Sequence, residues 1–200
     1  MKEVSAQDLG ALIATVRRIL VGSPPLPDGS SRTWNLYLVA GTSHLAEGWR
    51  DRVPHLELAS DAGGAGVLGD AVREAGAALD LRLVWESPAD VIPLPPGWSE
   101  RARPVRAGFT GAGGPLEVLH FDPYSVVLRL VARGDEPDYV MALEYQRRGW
   151  VDLAQLETRL AAVVPQFTSE TLAQDPAEFR RKFRGLRQLI ARDTEQRRPA

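Results

Sequence analysis

Cysteine is absent from this 200-residue chain. Its absence excludes disulfide bonds, zinc-thiolate sites and cysteine nucleophiles, and it gives no sign of an oxidising compartment. Lysine is scarce as well, occurring only at Lys2 and Lys182, so arginine supplies most of the positive charge. With 24 basic against 26 acidic residues, the formal charge of -2 provides no overall attraction to nucleic acid or to an anionic membrane.

Long hydrophobic runs are also missing. No apolar segment approaches the roughly 20 residues needed to span a bilayer, and the start of the chain, Met1 to Asp8, lacks the apolar core of a signal peptide. We therefore expect a cytoplasmic protein that does not bind membranes. A hydrophobic content of 44% over 200 residues suffices for one ordinary domain or two small ones.

Apolar periodicity and capping residues predict an α/β first part and a helical second part. The first part is predicted to contain a helix from Ser5 to Val21, strands over 34–40 and 55–59, a helix over 67–79, a strand over 81–85, and an antiparallel pair over 105–110 and 116–120. Ser5 and Asp8 make a capping-box-like pair at the start of the first helix. Helices are predicted over about 123–133, 136–148, 153–163 and 176–192, with Asp152 and Asp175 as caps. The predicted domains are an α/β core at 1–121 and a helical C-terminal region at 122–200 packed on it.

The most informative stretch is Gly48-Trp49-Arg50-Asp51-Arg52-Val53-Pro54-His55-Leu56-Glu57-Leu58. It follows an apolar strand, a small-residue turn and a short amphipathic piece. This order resembles the nucleotidyltransferase superfamily, and more narrowly the small bacterial nucleotidyltransferase-like proteins, often parts of toxin-antitoxin pairs, with the pattern Gly-Trp-Arg-x-x-Thr-x-Asp-Ile-Asp-Leu. The resemblance implies a mixed sheet with flanking helices, followed by a helical C-terminal part.

Later segments extend the resemblance in order along the chain. The matching segments are the proline-rich 87–98, His120 to Ser125, Arg129-Leu130-x-x-Arg133-Gly134 with Asp138, 148–152, and 175–180. In the family, two alternating carboxylates on one strand face hold Mg²⁺ against the phosphates of a nucleoside triphosphate. The ancestral activity that the resemblance implies is transfer of a nucleotidyl group to a hydroxyl of RNA, a protein or a small molecule.

The departures from the family pattern are at the positions that carry out the family's chemistry. His55 takes the first carboxylate position and Glu57 the second, while Val84 occupies the place of a carboxylate on the third catalytic strand. The family lysine is Arg129, and a helical aspartate is replaced by Met141. If the site were active, the resemblance implies Glu57, His55 and Asp138 as catalytic residues, with Glu57 and His55 as ligands of Mg²⁺ or another divalent metal.

Three residues of the turn and two arginines are the candidates for nucleotide binding. Gly41, Thr42 and Ser43 match the family turn whose amides and hydroxyl meet phosphate, but they would equally make an ordinary helix cap. Arg129 and Arg133 could grip phosphate bidentately, or could belong to a network of ion pairs on the helix surface. His44, Asp138 or His120 could add a third metal ligand to His55 and Glu57, although two strand residues with ordinary polar roles explain the pattern as well.

The last predicted helix carries a basic face beside an apolar seam. The basic residues considered for contact with nucleic acid are Arg180, Arg181, Lys182, Arg184 and Arg187. Phe179, Phe183, Leu186 and Ile190 recur at helical spacing and are expected to be core. Charge runs of this kind are usually solvated surface.

The sequence therefore predicts a divergent nucleotidyltransferase-fold protein without catalytic activity, a pseudoenzyme. We expect it to act by binding a protein partner, a second copy of itself or a nucleotide, without a resident cofactor, in a toxin-antitoxin or stress-response system. One alternative is an active, atypical metal-dependent nucleotidyltransferase that uses a nucleoside triphosphate and Mg²⁺. Another is a nucleic-acid-binding module that uses the basic C-terminal helix.

Overall fold

The computed structural model describes residues 3–22, 33–61, 66–85, 92–106, 109, 114–167 and 175–197. The chain divides into two compact units. A sheet unit comprises Met1–Ser87 and Ala102–Phe121, and a helical unit comprises Pro88–Arg101 and Asp122–Ala200. The helical unit also includes residues 92–101, which the domain division predicted from sequence assigns to the α/β core.

The sheet unit confirms the predicted mixed α/β class. Its elements in chain order are β1 (Val4–Ser5), α1 (Ala6–Val21), β2 (Trp34–Leu38), α2 (Ala40–Ala46), β3 (Arg52–Val53), β4 (Leu56–Ser60), α3 (Gly66–Ala78), β5 (Leu83–Trp85), β6 (Arg103–Pro104) and β7 (Leu116–His120). The larger sheet has the order β5-β4-β2-β7-β6, and β1 pairs with β3 separately. Strand β2 pairs antiparallel with β4 and parallel with β7.

Local sequence explains where α1 begins. Ser5 is its N-cap, and the predicted pairing with Asp8 forms a complete capping box, with the Asp8 amide donating to Ser5 Oγ at 3.3 Å and the Ser5 amide to Asp8 Oδ2 at 2.9 Å. The apolar stripe of α1 packs with α3 over one face of the sheet. The buried side chains of this core include Leu9, Leu12, Ile13, Val16, Leu36, Leu38, Leu56, Leu58, Val72 and Val118.

Successive residues of a strand point to opposite faces of the sheet. Leu36 and Leu38 on β2, and Leu56 and Leu58 on β4, point into this core, so the residue between each pair points to the other face. Tyr37 and Glu57 therefore face away from the layer formed by α1 and α3. Tyr37 packs edge-on against Phe121, with ring centroids 5.4 Å apart, and donates a hydrogen bond to Asp61 Oδ1 at 2.8 Å. Burial and the neighbouring Asp61 carboxylate raise the pKa of Tyr37, so its hydroxyl stays protonated and acts as a donor.

The helical unit contains α4 (Pro123–Arg133), α5 (Glu136–Arg147), α6 (Leu153–Val163) and α7 (Pro176–Gln196), with single 3₁₀ turns at Ser99–Arg101 and Val164–Gln166. All four helices were predicted, and α7 continues beyond the predicted end at 192. Asp122, Asp152 and Asp175 cap α4, α6 and α7 through their carboxylates. The predicted apolar seam of α7 is buried, as Phe179, Phe183, Leu186 and Ile190 show.

One predicted strand was placed wrongly. The partner of β7 is Arg103–Pro104, rather than a strand beginning at Val105. Val105 is 4% exposed and belongs to the core of the sheet unit, so its apolar character reflects packing and not strand pairing. Part of the predicted strand, and the glycine-rich loop over 111–113, lie outside the described residues. No helix in the described part of the chain is long and apolar enough to cross a membrane.

Candidate functional site

Helix α2 begins directly after β2 and brings its first turn against β4. Ala40, the first helical residue, has a φ of 43°, which lies in the left-handed region that alanine seldom adopts. Gly41 follows, and a Cβ at this position would lie 3.5 Å from Glu57 Oε1. The backbone of the turn therefore passes beside the Glu57 carboxylate, in the chain order strand, helix, strand that the resemblance implies.

The hydroxyls of Thr42 and Ser43 form hydrogen bonds with the backbones of β4 and β2. Thr42 Oγ1 accepts from the Glu57 amide at 2.7 Å, and Ser43 Oγ donates to the Leu38 carbonyl at 2.8 Å. Both residues are buried within α2, whose N-cap is Val39, a residue without a capping side chain. The alternative that Gly41, Thr42 and Ser43 make an ordinary helix cap is therefore wrong, because all three lie within α2, which begins at Ala40. Their contact with a nucleotide stays a prediction.

His55 and Glu57 lie close together, as their alternate spacing predicts. His55 Nε2 is 3.7 Å from Glu57 Oε1, and the two side chains are 27% and 10% exposed. Glu57 is in β4, and His55 precedes the first residue of that strand. One imidazole and one carboxylate thus form a partly accessible pair at the start of β4.

The next strand places an apolar side chain beside this pair. Strands β4 and β5 are parallel, and Glu57 is in register with Val84. Residues paired in this way point to the same face of a sheet, so a carboxylate at position 84 would stand next to Glu57. The structure therefore places His55, Glu57 and Val84 near one another on the same face of the sheet. Of these three side chains, only Glu57 is a carboxylate.

The other histidines proposed as metal ligands have different surroundings. His44 is buried in α2 with its ring 4.9 Å from that of Trp49. His120 Nε2 is 3.0 Å from Glu47 Oε1, and Arg106 Nε is 3.0 Å from Glu47 Oε2. Within the described ranges, no group of three or more histidine, aspartate or glutamate side chains is arranged to hold a metal ion.

The pair of His120 and Glu47 is electrostatically unusual because His120 is 1% exposed. Burial lowers the pKa of His120, while the hydrogen bond and the charge of Glu47 oppose that shift. Sequence reasoning missed Glu47, which is far from His120 along the chain. No local spacing connects the two, and only the fold brings the end of α2 next to β7.

In the helical unit, the candidate residues Arg133 and Asp138 bind each other. Arg133 donates from Nε to Asp138 Oδ2 at 3.1 Å and from Nη2 to Oδ1 at 2.7 Å. Asp138 is 5% exposed, so this bidentate ion pair favours the structural interpretation over a role for either residue in phosphate or metal binding. Arg129 lies in α4 with 8% exposure, and the Nε and Nη1 atoms of its guanidinium are buried.

Asp122 is a second buried carboxylate of this unit, and sequence reasoning identified it only as part of a helix start. It is fully buried and accepts from Arg101 Nε at 3.1 Å, Arg101 Nη2 at 2.8 Å and Ser125 Oγ at 2.7 Å. Arg101 also donates to the Pro96 carbonyl at 2.9 Å. The cap of α4 is thereby tied to the proline-rich segment.

The basic face of α7 is smaller than the sequence suggested. Lys182 Nζ donates to the carbonyls of Ala132 at 2.7 Å and Arg133 at 3.1 Å, which satisfies the C-terminal end of α4. Including Lys182 among the nucleic-acid contacts was therefore wrong, since its ammonium group serves an internal role. Arg187 pairs with Glu157 at 3.0 Å, and Arg181 approaches Glu178 at 3.9 Å.

Arg180 and Arg184 remain as exposed cations of this face that form no ion pair with any described residue. Two such arginines on neighbouring turns make a short basic stripe, which is a common feature of solvated helix surfaces.

Comparisons with protein-family models, with curated proteins and with solved structures find no match to this chain.

Proposed function

We propose that this protein is a nucleotidyltransferase-like pseudoenzyme that acts by binding a partner or a nucleotide. The observation that carries the proposal is the register of β4 and β5, which sets Val84 beside Glu57. The strand order β5-β4-β2 with α2 inserted between β2 and β4 agrees with the order of motifs in the resemblance. The chemistry proposed for the family requires carboxylates at these neighbouring positions.

One carboxylate beside an imidazole and a valine is a weak set of ligands for Mg²⁺. Mg²⁺ prefers hard oxygen ligands in octahedral geometry, whereas an imidazole favours zinc, manganese or nickel. His55 contributes no negative charge in its neutral form, and Val84 contributes no ligand. Without anionic oxygens to fix the ion and to offset charge in the transition state, phosphoryl transfer loses its main source of stabilisation.

The contacts of the candidate phosphate-binding residues agree better with binding of a protein partner than with binding of a nucleotide. Ser43 donates to a backbone carbonyl, and Arg133 is held by Asp138, so two of the predicted phosphate contacts already have protein partners. We therefore favour a protein partner or a second copy of this chain over a nucleotide. The resemblance suggests that such a partner belongs to a toxin-antitoxin or stress-response system.

The test combines a transfer assay with the restoration of the missing carboxylates. The wild-type protein and Glu57→Gln should show the same background when incubated with Mg²⁺ and each nucleoside triphosphate labelled at the α-phosphate. Label transfer by the wild type that disappears in Glu57→Gln would refute the proposal. The same experiment with Mn²⁺ or Zn²⁺ examines an active, atypical transferase, which the 3.7 Å separation of His55 and Glu57 favours as the second candidate function.

A second measurement examines the geometry on which the proposal rests. The double variant His55→Asp with Val84→Asp places three carboxylates on adjacent positions, and we expect its affinity for Mn²⁺ to exceed that of the wild type by at least about tenfold. Val140→Asp, which adds a carboxylate at a residue 52% exposed in α5, is the matched control and should leave the affinity unchanged. Equal affinities in the restored variant and the control would show that positions 55, 57 and 84 do not converge.

A further inference from the structure

The C-terminal ends of α5 and α7 together form a pocket in the helical unit. Its volume is about 260 Å³, and it is lined by Glu144, Arg147, Arg148 and Arg197. Arg148 and Arg197 are the C-cap residues of the two helices. Every lining residue is charged, so the pocket suits a small polar ligand and not an apolar one. We call it the arginine pocket.

Two carboxylates fix the arginines of this pocket in place. Asp193, which is buried, accepts from Arg147 Nε at 3.2 Å and Nη2 at 2.7 Å, and from Arg197 Nε at 3.1 Å. Glu144 accepts from Arg148 Nε at 2.8 Å. Hydrogen bonds to Arg147 and Arg197 lower the pKa of Asp193, so it stays ionised at neutral pH. The guanidinium groups are thereby oriented before any ligand arrives, which reduces the entropic cost of binding.

The pocket retains an excess of positive charge. The three guanidinium groups and the two carboxylates of Glu144 and Asp193 leave one net positive charge among these five described side chains. Asp193 contacts Arg197 through Nε alone, and the Nη groups of Arg197 donate to no residue in the described ranges. The side chains of Arg148 and Arg197 are 50% and 59% exposed, so a ligand from solvent can reach them.

These properties match a tetrahedral oxyanion. Arginine donates two parallel N–H groups to phosphate oxygens, and arginines from different helices can bind different oxygens of one group. The volume lies just below the range of roughly 300–1,000 Å³ typical of pockets for drug-sized ligands. We propose that the arginine pocket binds a phosphate group, either as free phosphate or as the head of a small phosphomonoester.

Arginines at helix C-termini also offset the partial negative charge of the last carbonyls, which gives them a structural role without any ligand. That role predicts no dependence of phosphate binding on Arg148 and Arg197. The two roles are therefore separable by measuring phosphate affinity in variants that remove those side chains.

The test is calorimetric titration of the full chain with inorganic phosphate and with glycerol 3-phosphate, at a constant ionic strength set with sodium chloride. The double variant Arg148→Gln with Arg197→Gln removes two positive charges from the pocket. Arg180→Gln with Arg192→Gln removes the same charge from exposed positions of α7 whose side chains form no ion pair with a described residue. Thermal unfolding in chloride alone verifies that each variant is folded.

We expect the control to bind phosphate as the wild type does, and the pocket variant to bind about a hundredfold more weakly, since each lost charge-assisted contact is worth about tenfold. Tighter binding of glycerol 3-phosphate than of phosphate would assign the site to an ester, and equal binding would assign it to the free anion. Equal affinities in the pocket variant and the control, or no binding by the wild type, would overturn the proposal. None of these outcomes depends on nucleotidyl transfer.

Discussion

Replacing Asp122 by alanine tests how much of the helical unit depends on one buried carboxylate. The side chain is fully buried and accepts hydrogen bonds from Arg101 at two nitrogens, from Ser125 Oγ, and from the Tyr124 amide at 3.2 Å. The substitution therefore removes an ion pair and a helix cap together. It also leaves the Arg101 guanidinium without its carboxylate partner.

The size of the effect follows from the exposure of the remaining partner. Removing one member of a buried ion pair costs about 3–5 kcal/mol, because an uncompensated charge stays buried. The Arg101 side chain is 21% exposed and keeps its bond to the Pro96 carbonyl, so water and backbone relieve part of that penalty. We therefore expect the lower end of the range, about 3 kcal/mol, with the lost cap included.

Urea unfolding followed by tryptophan fluorescence gives the measurement. Asp175→Ala is the matched control, because Asp175 also caps a helix but is exposed, and in the described structure its side chain bonds only the Ala177 amide, at 3.0 Å. It should cost about 1 kcal/mol. A double-mutant cycle with Arg101→Ala isolates the ion pair from the cap.

The reasoning would be refuted if Asp122→Ala destabilised the protein no more than Asp175→Ala. It would be refuted equally by additive effects of Asp122→Ala and Arg101→Ala in the cycle. Either result would mean that the geometry of the pair, although bidentate, contributes nothing beyond an ordinary N-cap.

The second prediction compares two glycines. Gly134→Ala and Gly149→Ala both place a side chain at a positive φ, of 78° and 69°, and for Gly149→Ala this should cost about 1 kcal/mol in urea unfolding. Gly134→Ala should cost about 2 kcal/mol, because its Cβ would also lie 2.9 Å from the Lys182 side chain, whose ammonium group is held by two carbonyls; equal costs would contradict this. The third prediction uses pH: burial lowers the pKa of His120 in the folded state, so the unfolded state binds the proton first and stability falls as the pH drops below about 6.5. His120→Gln should flatten that fall in unfolding measured from pH 7 to pH 5, and an unchanged slope would count against it.

Local signals accounted for most of the helices. The pairing of Ser5 with Asp8 indicated the start of α1, and Asp152 and Asp175 indicated the starts of α6 and α7. Such signals act over a few residues and are legible in sequence. The start of α2 could not be predicted from the sequence, because Val39 has no capping side chain and Ala40 adopts a φ of 43°, which is rare for alanine.

The candidate site was predictable in part. Alternation along a strand correctly placed His55 beside Glu57, and the register of β5 sets Val84 next to Glu57. The role of Lys182 was not predictable, because its carbonyl partners come from α4, about fifty residues earlier. Charge patterning identifies a basic helix face but cannot tell which cations bind the protein itself.

The ion pairs of Asp122, Glu47 and Asp193 were missed for the same reason. Their partners lie 21, 73 and 46 residues away in sequence, at Arg101, His120 and Arg147. No spacing rule covers such distances, since the helix rule reaches only three or four residues and the strand rule only two.

The parallel pairing of β2 with β7 has a consequence for how the chain becomes folded. Trp34 is in register with Leu116, and the intervening chain includes Pro88–Arg101, which is part of the other unit. The whole of β7 must therefore be synthesised before the central strand β2 can pair with its second neighbour. Because closing so large a loop precedes any gain from the contacts, the sheet is expected to assemble slowly and late in synthesis, after α1 and α3 have formed.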